Sequence, residues 1–233
     1  MSGGSEIIDR ARRDGRLILT ESESKQLLAS LGIRTTQMRP AAGRDEAVAA
    51  SREVGYPCVL KVSSPDITHK SDAGGVKVGL ADEQQVADAY DAIMASCRAQ
   101  FPEAEIEGVT VQDMARPGLE VIVGTATDPQ FGPVVMFGLG GVWVEVLEDV
   151  SFKLAPLTRD DARAAIGEIR AARLLEGFRG SEPVDKAALE DILLKVSEFV
   201  AATPEVLEMD LNPVFAYPDG AVAVDARVIL GES

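Results

Sequence analysis

The sequence predicts an α+β chain of two lobes, and three observations carry that prediction. Helical and strand-like periodicities alternate through the first half, short apolar runs divided by Gly and Pro dominate from Val109 onward, and 233 residues suffice for two small cores or one large domain. A hydrophobic fraction of 46% with 26% charged residues is that of an ordinary globular protein. The net charge of -15 argues against nucleic acid as a partner, because phosphate backbones are bound through clustered Lys and Arg. No apolar run approaches the length needed to span a bilayer, and the N-terminus lacks a signal-peptide core. Cys58 and Cys97 sit in an apolar strand and an amphipathic helix, so they read as reduced small hydrophobes. These features place the chain in the cytoplasm, with neither membrane nor nucleic acid among its partners.

Taken in order, residues 1–19 read as an N-terminal extension with a short charged helix over 6–16. Thr20-Glu21-Ser22-Glu23 matches a capping box, in which the Thr20 hydroxyl accepts from the Glu23 amide and the Glu23 carboxylate reaches back. The helix that follows, with Leu27, Leu28 and Leu31 at helical spacing, ends at Gly32. A strand over 34–39 and a helix over 45–54 lead into the apolar run YPCVLKV, which carries Lys61. The segment SSPDITHKSDAGGVKVGL then holds the sole histidine, His69, and the pair Gly74-Gly75. Residues 84–98 form a helix whose Val86, Ala89, Tyr90, Ile93, Met94 and Cys97 share one face. Strands follow over 109–114, 119–127 and 133–137, helices over 158–169 and 187–201, and a closing hairpin pairs 206–213 with 221–228.

That hairpin is the most informative geometry. Strand alternation puts Glu208, Asp210 and Asn212 on one face and Leu207, Met209 and Leu211 on the other. With Pro218-Asp219 as the turn, paired residue numbers sum to 437 and Asn212 lies opposite Asp225; a three-residue loop ending at Gly220 shifts this by one. In either register an amide oxygen and a carboxylate come near enough to share an ion, and magnesium needs only one or two protein oxygens beside phosphates and waters. A solvent-exposed polar face explains the same spacing equally well. Lys61 and His69 are as open to two readings: a snorkelling lysine and a solvated histidine, or a phosphate-handling pair. The turn FGLGG lacks the GxGxxG and GxxxxGK[ST] spacings, so neither a Rossmann nor a Walker site is supported. Glu120 sits in the apolar strand LEVIVG, where it must find a partner or solvent. Arg179, between glycines in LLEGFRG, suits an anion contact or a plain surface loop.

Together YPCVLKV, THKSDAGGVKVGL, VQDM before GLEVIVG, FGLGGVWVEVLEDVSFKLAPL, LLEGFRG and EMDLNP followed by AVDARV resemble the ATP-grasp subunit of the NDP-forming acyl-CoA synthetases, over about residues 20–230. The resemblance implies an ATP-grasp fold of two α+β lobes, 20–111 and 112–231, with the nucleotide between them. It implies that Lys61 contacts the nucleotide phosphates, that Gly74 and Gly75 form the phosphate loop, that Gln112, Asp113, Met114 and Ala115 form the hinge reading the adenine edge, and that Glu120 is a nucleotide-binding carboxylate. Asn212 and Asp225 would hold Mg2+, Asp210 would orient a phosphorylated histidine, and His69 would be a second phosphohistidine relaying phosphate to ADP or ATP. Asp210 stands where glutamate is usual. No CoA-binding Rossmann unit is present, so the resemblance implies a CoA-binding α subunit as partner in a hetero-oligomer such as α2β2. Two other functions fit the residues: a self-contained ATP-grasp carboxylate-amine ligase, and a nucleotide-binding regulatory module without turnover.

Overall fold

The computed structural model describes residues 2–67, 70–141, 148–178 and 180–231. In chain order the elements are α1 (Ser2–Arg13), α2 (Glu21–Ser30), β1 (Met38–Ala41), α3 (Arg44–Val54), β2 (Cys58–Ser63), β3 (Val76–Leu80), α4 (Glu83–Gln100), β4 (Gly108–Asp113), β5 (Leu119–Asp128), β6 (Gly132–Leu139), β7 (Val150–Leu154), α5 (Arg159–Glu168), a 3-10 helix (Arg170–Glu176), α6 (Lys186–Ala202), β8 (Val206–Tyr217), β9 (Gly220–Ala223) and β10 (Ala226–Leu230). They assort into two compact units, Thr36–Arg116 and Met1–Thr35 with Pro117–Ser233.

The smaller unit is an antiparallel four-stranded sheet in the order β1-β4-β2-β3. Period-two alternation sends Cys58, Leu60 and Val62 of β2 and Val109 and Val111 of β4 to one face, where Val86, Ile93 and Cys97 of α4 and Ala47 and Ala50 of α3 cover them. Asp82 caps α4 by accepting from the Gln85 amide at 2.8 Å. Burial pushes the Cys58 thiol up to about 11 and raises that of Cys97, so both stay protonated among their apolar neighbours. The strand expected over 34–39 starts later, at Met38, where pairing with Gln112 begins.

The larger unit is a sheet in the order β10-β8-β5-β6-β7, with β9 also paired to β8. Its inner face, with Val121, Val123, Phe137, Met209, Leu211 and Val228, is buried with Leu189, Leu193 and Val196 of α6, Ile166 of α5 and Leu27 and Leu28 of α2. The capping box at the start of α2 is formed: the Glu23 amide donates to Thr20 Oγ1 at 3.2 Å and the Thr20 amide to Glu23 Oε2 at 2.9 Å. Arg16 donates to both Glu23 oxygens, at 2.8 and 2.9 Å, and this hydrogen bonding holds the Glu23 carboxyl below its ordinary range.

Residues 1–19 are not an extension, because Ile7, Ile8 and Ala11 of α1 and Leu19 are buried in the same core as the sheet. Leu19 N donates to Val228 O at 3.0 Å and Leu230 N to Leu17 O at 2.7 Å, so the segment after α1 runs along β10. Consequently the helix over 20–31 belongs with the second-half sheet, and the smaller unit spans 36–116 rather than 20–111. The closing hairpin is also longer than expected: β8 continues to Tyr217, and the return divides into β9 and β10.

Because Ile8 is a core residue, Ile8→Ala is expected to destabilise the protein by about 2–5 kcal/mol, the usual cost of truncating a buried aliphatic side chain. Urea denaturation of the two proteins measures this; an unchanged midpoint would restore the extension.

Candidate functional site

In the smaller unit two of the expected site residues, Lys61 and Gln112, lie on the sheet face turned away from α3 and α4. Lys61 is register-paired with Thr110, and Val59 with Gln112, so Lys61, Thr110 and Gln112 share one face. All three are buried, at 8%, 6% and 2% exposure, and Gln112 Nε2 donates to Thr110 Oγ1 at 3.2 Å. A buried polar set on an otherwise apolar sheet is costly unless its members hydrogen-bond, as Gln112 and Thr110 do. Of the four expected hinge residues, Gln112 and Asp113 belong to β4 and are held in the sheet; the chain leaves the strand at Met114 and Ala115.

The segment between β2 and β3 is anchored at both ends. Ser64 Oγ donates to Glu105 O at 2.6 Å, Glu105 N donates to Asp66 Oδ2 at 2.7 Å, and Ile67 is buried. On the return side the Ala73 carbonyl accepts from Ser96 Oγ at 2.9 Å and Gln100 Nε2 at 3.0 Å, both from α4. Gly74 has φ +66°, which disfavours any side chain, and a Cβ on Gly75 would lie 2.5 Å from Val62 Cγ1. Gly75 N also donates to Lys70 O at 2.8 Å and Gly75 O accepts from Val62 N at 2.7 Å. The glycine pair is therefore required by the fold itself. His69 lies outside the described residues, as does Arg179.

In the larger unit the second face of the sheet carries the acidic residues. Tyr217 pairs with Gly220, so Pro218 and Asp219 form a two-residue turn, and every β8–β9 pair sums to 437. The β8–β10 pairs Leu211↔Ala226, Asp210↔Arg227, Met209↔Val228 and Glu208↔Ile229 keep the same sum. Asn212 therefore falls opposite Asp225, as the two-residue turn predicts. Asp225 is half-buried, with Oδ1 accepting from the Ala226 amide at 2.8 Å, and Asn212 is exposed. An exposed amide oxygen facing a carboxylate is a hard-oxygen donor pair suited to a magnesium ion that keeps waters and phosphate oxygens as its other ligands.

Asp210 occupies the next position on that face. Burial raises its carboxyl above the ordinary value, Arg227 acts in the opposite direction, and Glu208 and Asp225 reinforce the rise. Arg227 Nη2 donates to Glu208 Oε1 at 2.6 Å. Glu120 lies on the same non-core face, paired with Phe215, and the glycine-rich turn packs on it: Gly140 N donates to Glu120 O at 2.8 Å, and a Cβ on Gly141 would sit 2.8 Å from Glu120 Oε2. Those glycines leave room for a carboxylate.

Residues 10–230 match the family model described as an ATP-grasp domain. The chain belongs to the ATP-grasp family. Within it the chain is 49% identical, over 225 residues, to the β subunit of ADP-forming acetate–CoA ligase I of Pyrococcus furiosus, with 97% of each protein covered. Among solved structures it is similar to the acetyl-coenzyme A synthetase 1 of Ca. Korarchaeum cryptofilum in complex with coenzyme A and Ca-AMPCP, at a TM-score of 0.95 and 50% identity, covering 97% of this chain and 99% of that one. A structure of the same archaeal protein with coenzyme A and Mg-AMPPCP has its phosphohistidine segment pointing towards the nucleotide binding site; it matches at a TM-score of 0.87 and 47% identity, over 98% of this chain and 100% of that one. The ATP-grasp fold expected from the motifs is the fold of the chain.

Sequence reasoning missed Thr110 and Arg227. The signal for each was available: Thr110 is two residues before Gln112 on an alternating strand, and the sum of 437 pairs Arg227 with Asp210. Among the described residues no helix is long and apolar enough to cross a membrane.

The raised Asp210 carboxyl predicts a stability cost with a definite sign. A folded-state value above the ordinary 3.8 means that the ionised form is disfavoured on folding, so the cost is present at neutral pH and disappears as the pH falls below both values. Asp210→Asn is therefore expected to raise the thermal midpoint of the magnesium-free protein at neutral pH and to lose that advantage in acid. Equal midpoints at neutral pH would show that the carboxylate is not strained.

Proposed function

We propose that the chain is the nucleotide-binding β subunit of an ADP-forming acyl-CoA synthetase, catalysing with a CoA-binding α subunit the reaction acyl-CoA + ADP + phosphate ⇌ carboxylic acid + CoA + ATP. The observation that carries the reading is the shared face of β8 and β10, where Asn212 faces Asp225 and Asp210 stands one pair along, in an ATP-grasp chain aligned almost end to end with a ligase β subunit. In this reading phosphate arrives on a histidine of the partner, whose imidazole is oriented by donating its remaining ring N–H to Asp210. His69 attacks phosphorus through its unprotonated ring nitrogen, forming one N–P bond as the partner's N–P bond breaks. A terminal oxygen of ADP then attacks phosphorus, the His69 N–P bond breaks, and ATP leaves; synthesis of acyl-CoA runs the same steps backward.

Lys61, with Gly74 and Gly75, takes the nucleotide phosphates, while Met114 and Ala115, with Gln112 and Asp113 behind them, and Glu120 take the nucleoside. Asn212 and Asp225 would hold magnesium, which supplies charge neutralisation at the phosphoryl oxygens. Positioning and electrostatics do most of the work in such transfers, so the residues needed are rigidly seated side chains rather than strong nucleophiles. The assembly is a hetero-oligomer such as α2β2 in the cytoplasm, a placement supported by the two buried, protonated thiols.

The test is a purified pair of this chain and its CoA-binding partner given ATP labelled at the γ-phosphate. Label is expected on the partner's histidine with wild type, and His69→Ala is expected to slow labelling by at least about 100-fold while still binding nucleotide. Transfer by the variant at the wild-type rate rules out the relay, and ligation of an acid to an amine by the isolated chain would instead favour the carboxylate-amine ligase.

A further inference from the structure

We infer that Arg227, seated by Glu208, is the positioning residue for Asp210: its guanidinium supplies positive charge beside that carboxylate without occupying the oxygens that must meet the partner's imidazole. The inference rests on the acyl-CoA synthetase reading above. Across the sheet, Gly124, Asp210 and Arg227 are successive register partners on β5, β8 and β10. On the Gly124 side there is no side chain, and Met136 Cε lies within 3.0 Å of where a Cβ would stand, so that flank of Asp210 is apolar. On the other flank stands the guanidinium. Its hydrogen bond goes to Glu208 rather than to its direct register partner Asp210, with Nη2 donating at 2.6 Å. Among the described residues no group donates a hydrogen bond to the Asp210 carboxylate.

The order along β8 explains the arrangement. Glu208, Asp210 and Asn212 follow each other at two-residue spacing on one face, so Glu208 draws the guanidinium toward the end of the row away from Asn212 and Asp225. A guanidinium forms bidentate pairs readily with carboxylates. Without Glu208, Arg227 could turn to Asp225, two residues earlier on its own side of the hairpin, and compete for a magnesium ligand. With Glu208 in place, the row presents a cation, an open acceptor and a metal-binding pair in sequence. Three carboxylates crowded on one face would otherwise repel an incoming phosphorylated imidazole.

The experiment uses the reconstituted pair and three variants, R227M, R227K and E208Q, with labelling of the partner's histidine measured in single turnover at saturating Mg·ATP. Removing a preorganised charge is expected to slow labelling by R227M on the order of tenfold or more, with the Kd for Mg·ATP and the thermal midpoint close to wild type. R227K is expected to recover most of the rate. E208Q is expected to keep nucleotide affinity but to need several times more magnesium for half-maximal labelling, which a purely structural role would not produce. R227M labelling at the wild-type rate overturns the inference, and so does a loss of rate matched by an equal loss of Mg·ATP affinity. A wild-type pair that never labels the partner refutes the functional reading and this assignment with it, an outcome distinct from labelling that ignores Arg227.

Discussion

The register of β8 against its two return strands is the constraint on which the larger unit depends. A period-two strand shifted by one residue exchanges its faces entirely. Here that shift would turn Glu208, Asp210 and Asn212 into the core and expel Met209 and Leu211, both fully buried. Burying three polar groups in place of two large apolar ones is far more costly than any local adjustment, so the core enforces the registry of the polar face. The turn Pro218-Asp219 fixes the same registry from the other end, and the opposition of Asn212 and Asp225 follows from both.

Each unit uses its sheet in the same way, with one face spent on helices and the other carrying polar residues. They differ in how the polar face is maintained. In the smaller unit Lys61, Thr110 and Gln112 are buried, and Gln112 donates to Thr110 within the set. In the larger unit Asp210, Asn212 and Asp225 are half-buried or exposed, and their arrangement is electrostatic, with one guanidinium among three carboxylates. Such a face contributes little to stability, and the raised Asp210 carboxyl opposes folding at neutral pH.

Much of this architecture was legible in the sequence because it follows from local rules. The Thr20–Glu23 box, the alternation from Leu207 to Asn212 and the sum of 437 each depend on residues near one another in the chain. What sequence reasoning missed depends on distance. Nothing local marks Ile7, Ile8 and Ala11 as core residues, since Asp9, Arg10, Arg12 and Arg13 surround them with charge; only the approach of residues 17–19 to β10 closes that helix onto the sheet. Likewise, nothing local shows that Gly140 and Gly141 pack against Glu120, some twenty residues earlier. The motif resemblance is what singles out Lys61, Asn212 and Asp225 as candidates, whereas strand pairing alone brings Thr110 beside Lys61 and Arg227 beside Asp210.

The placement of the two cysteines has a practical consequence. Both belong to the smaller unit, facing its core from β2 and α4, and the larger unit has none. Reaction with a thiol reagent requires that core to open, and a thiol held protonated reacts slowly even when briefly reached. The rate of labelling is thus a native clock for the opening of one unit alone, read without introducing a probe. Comparing that clock with and without nucleotide would measure how far ligand binding tightens the sheet that carries Lys61, independently of any change in the acidic face.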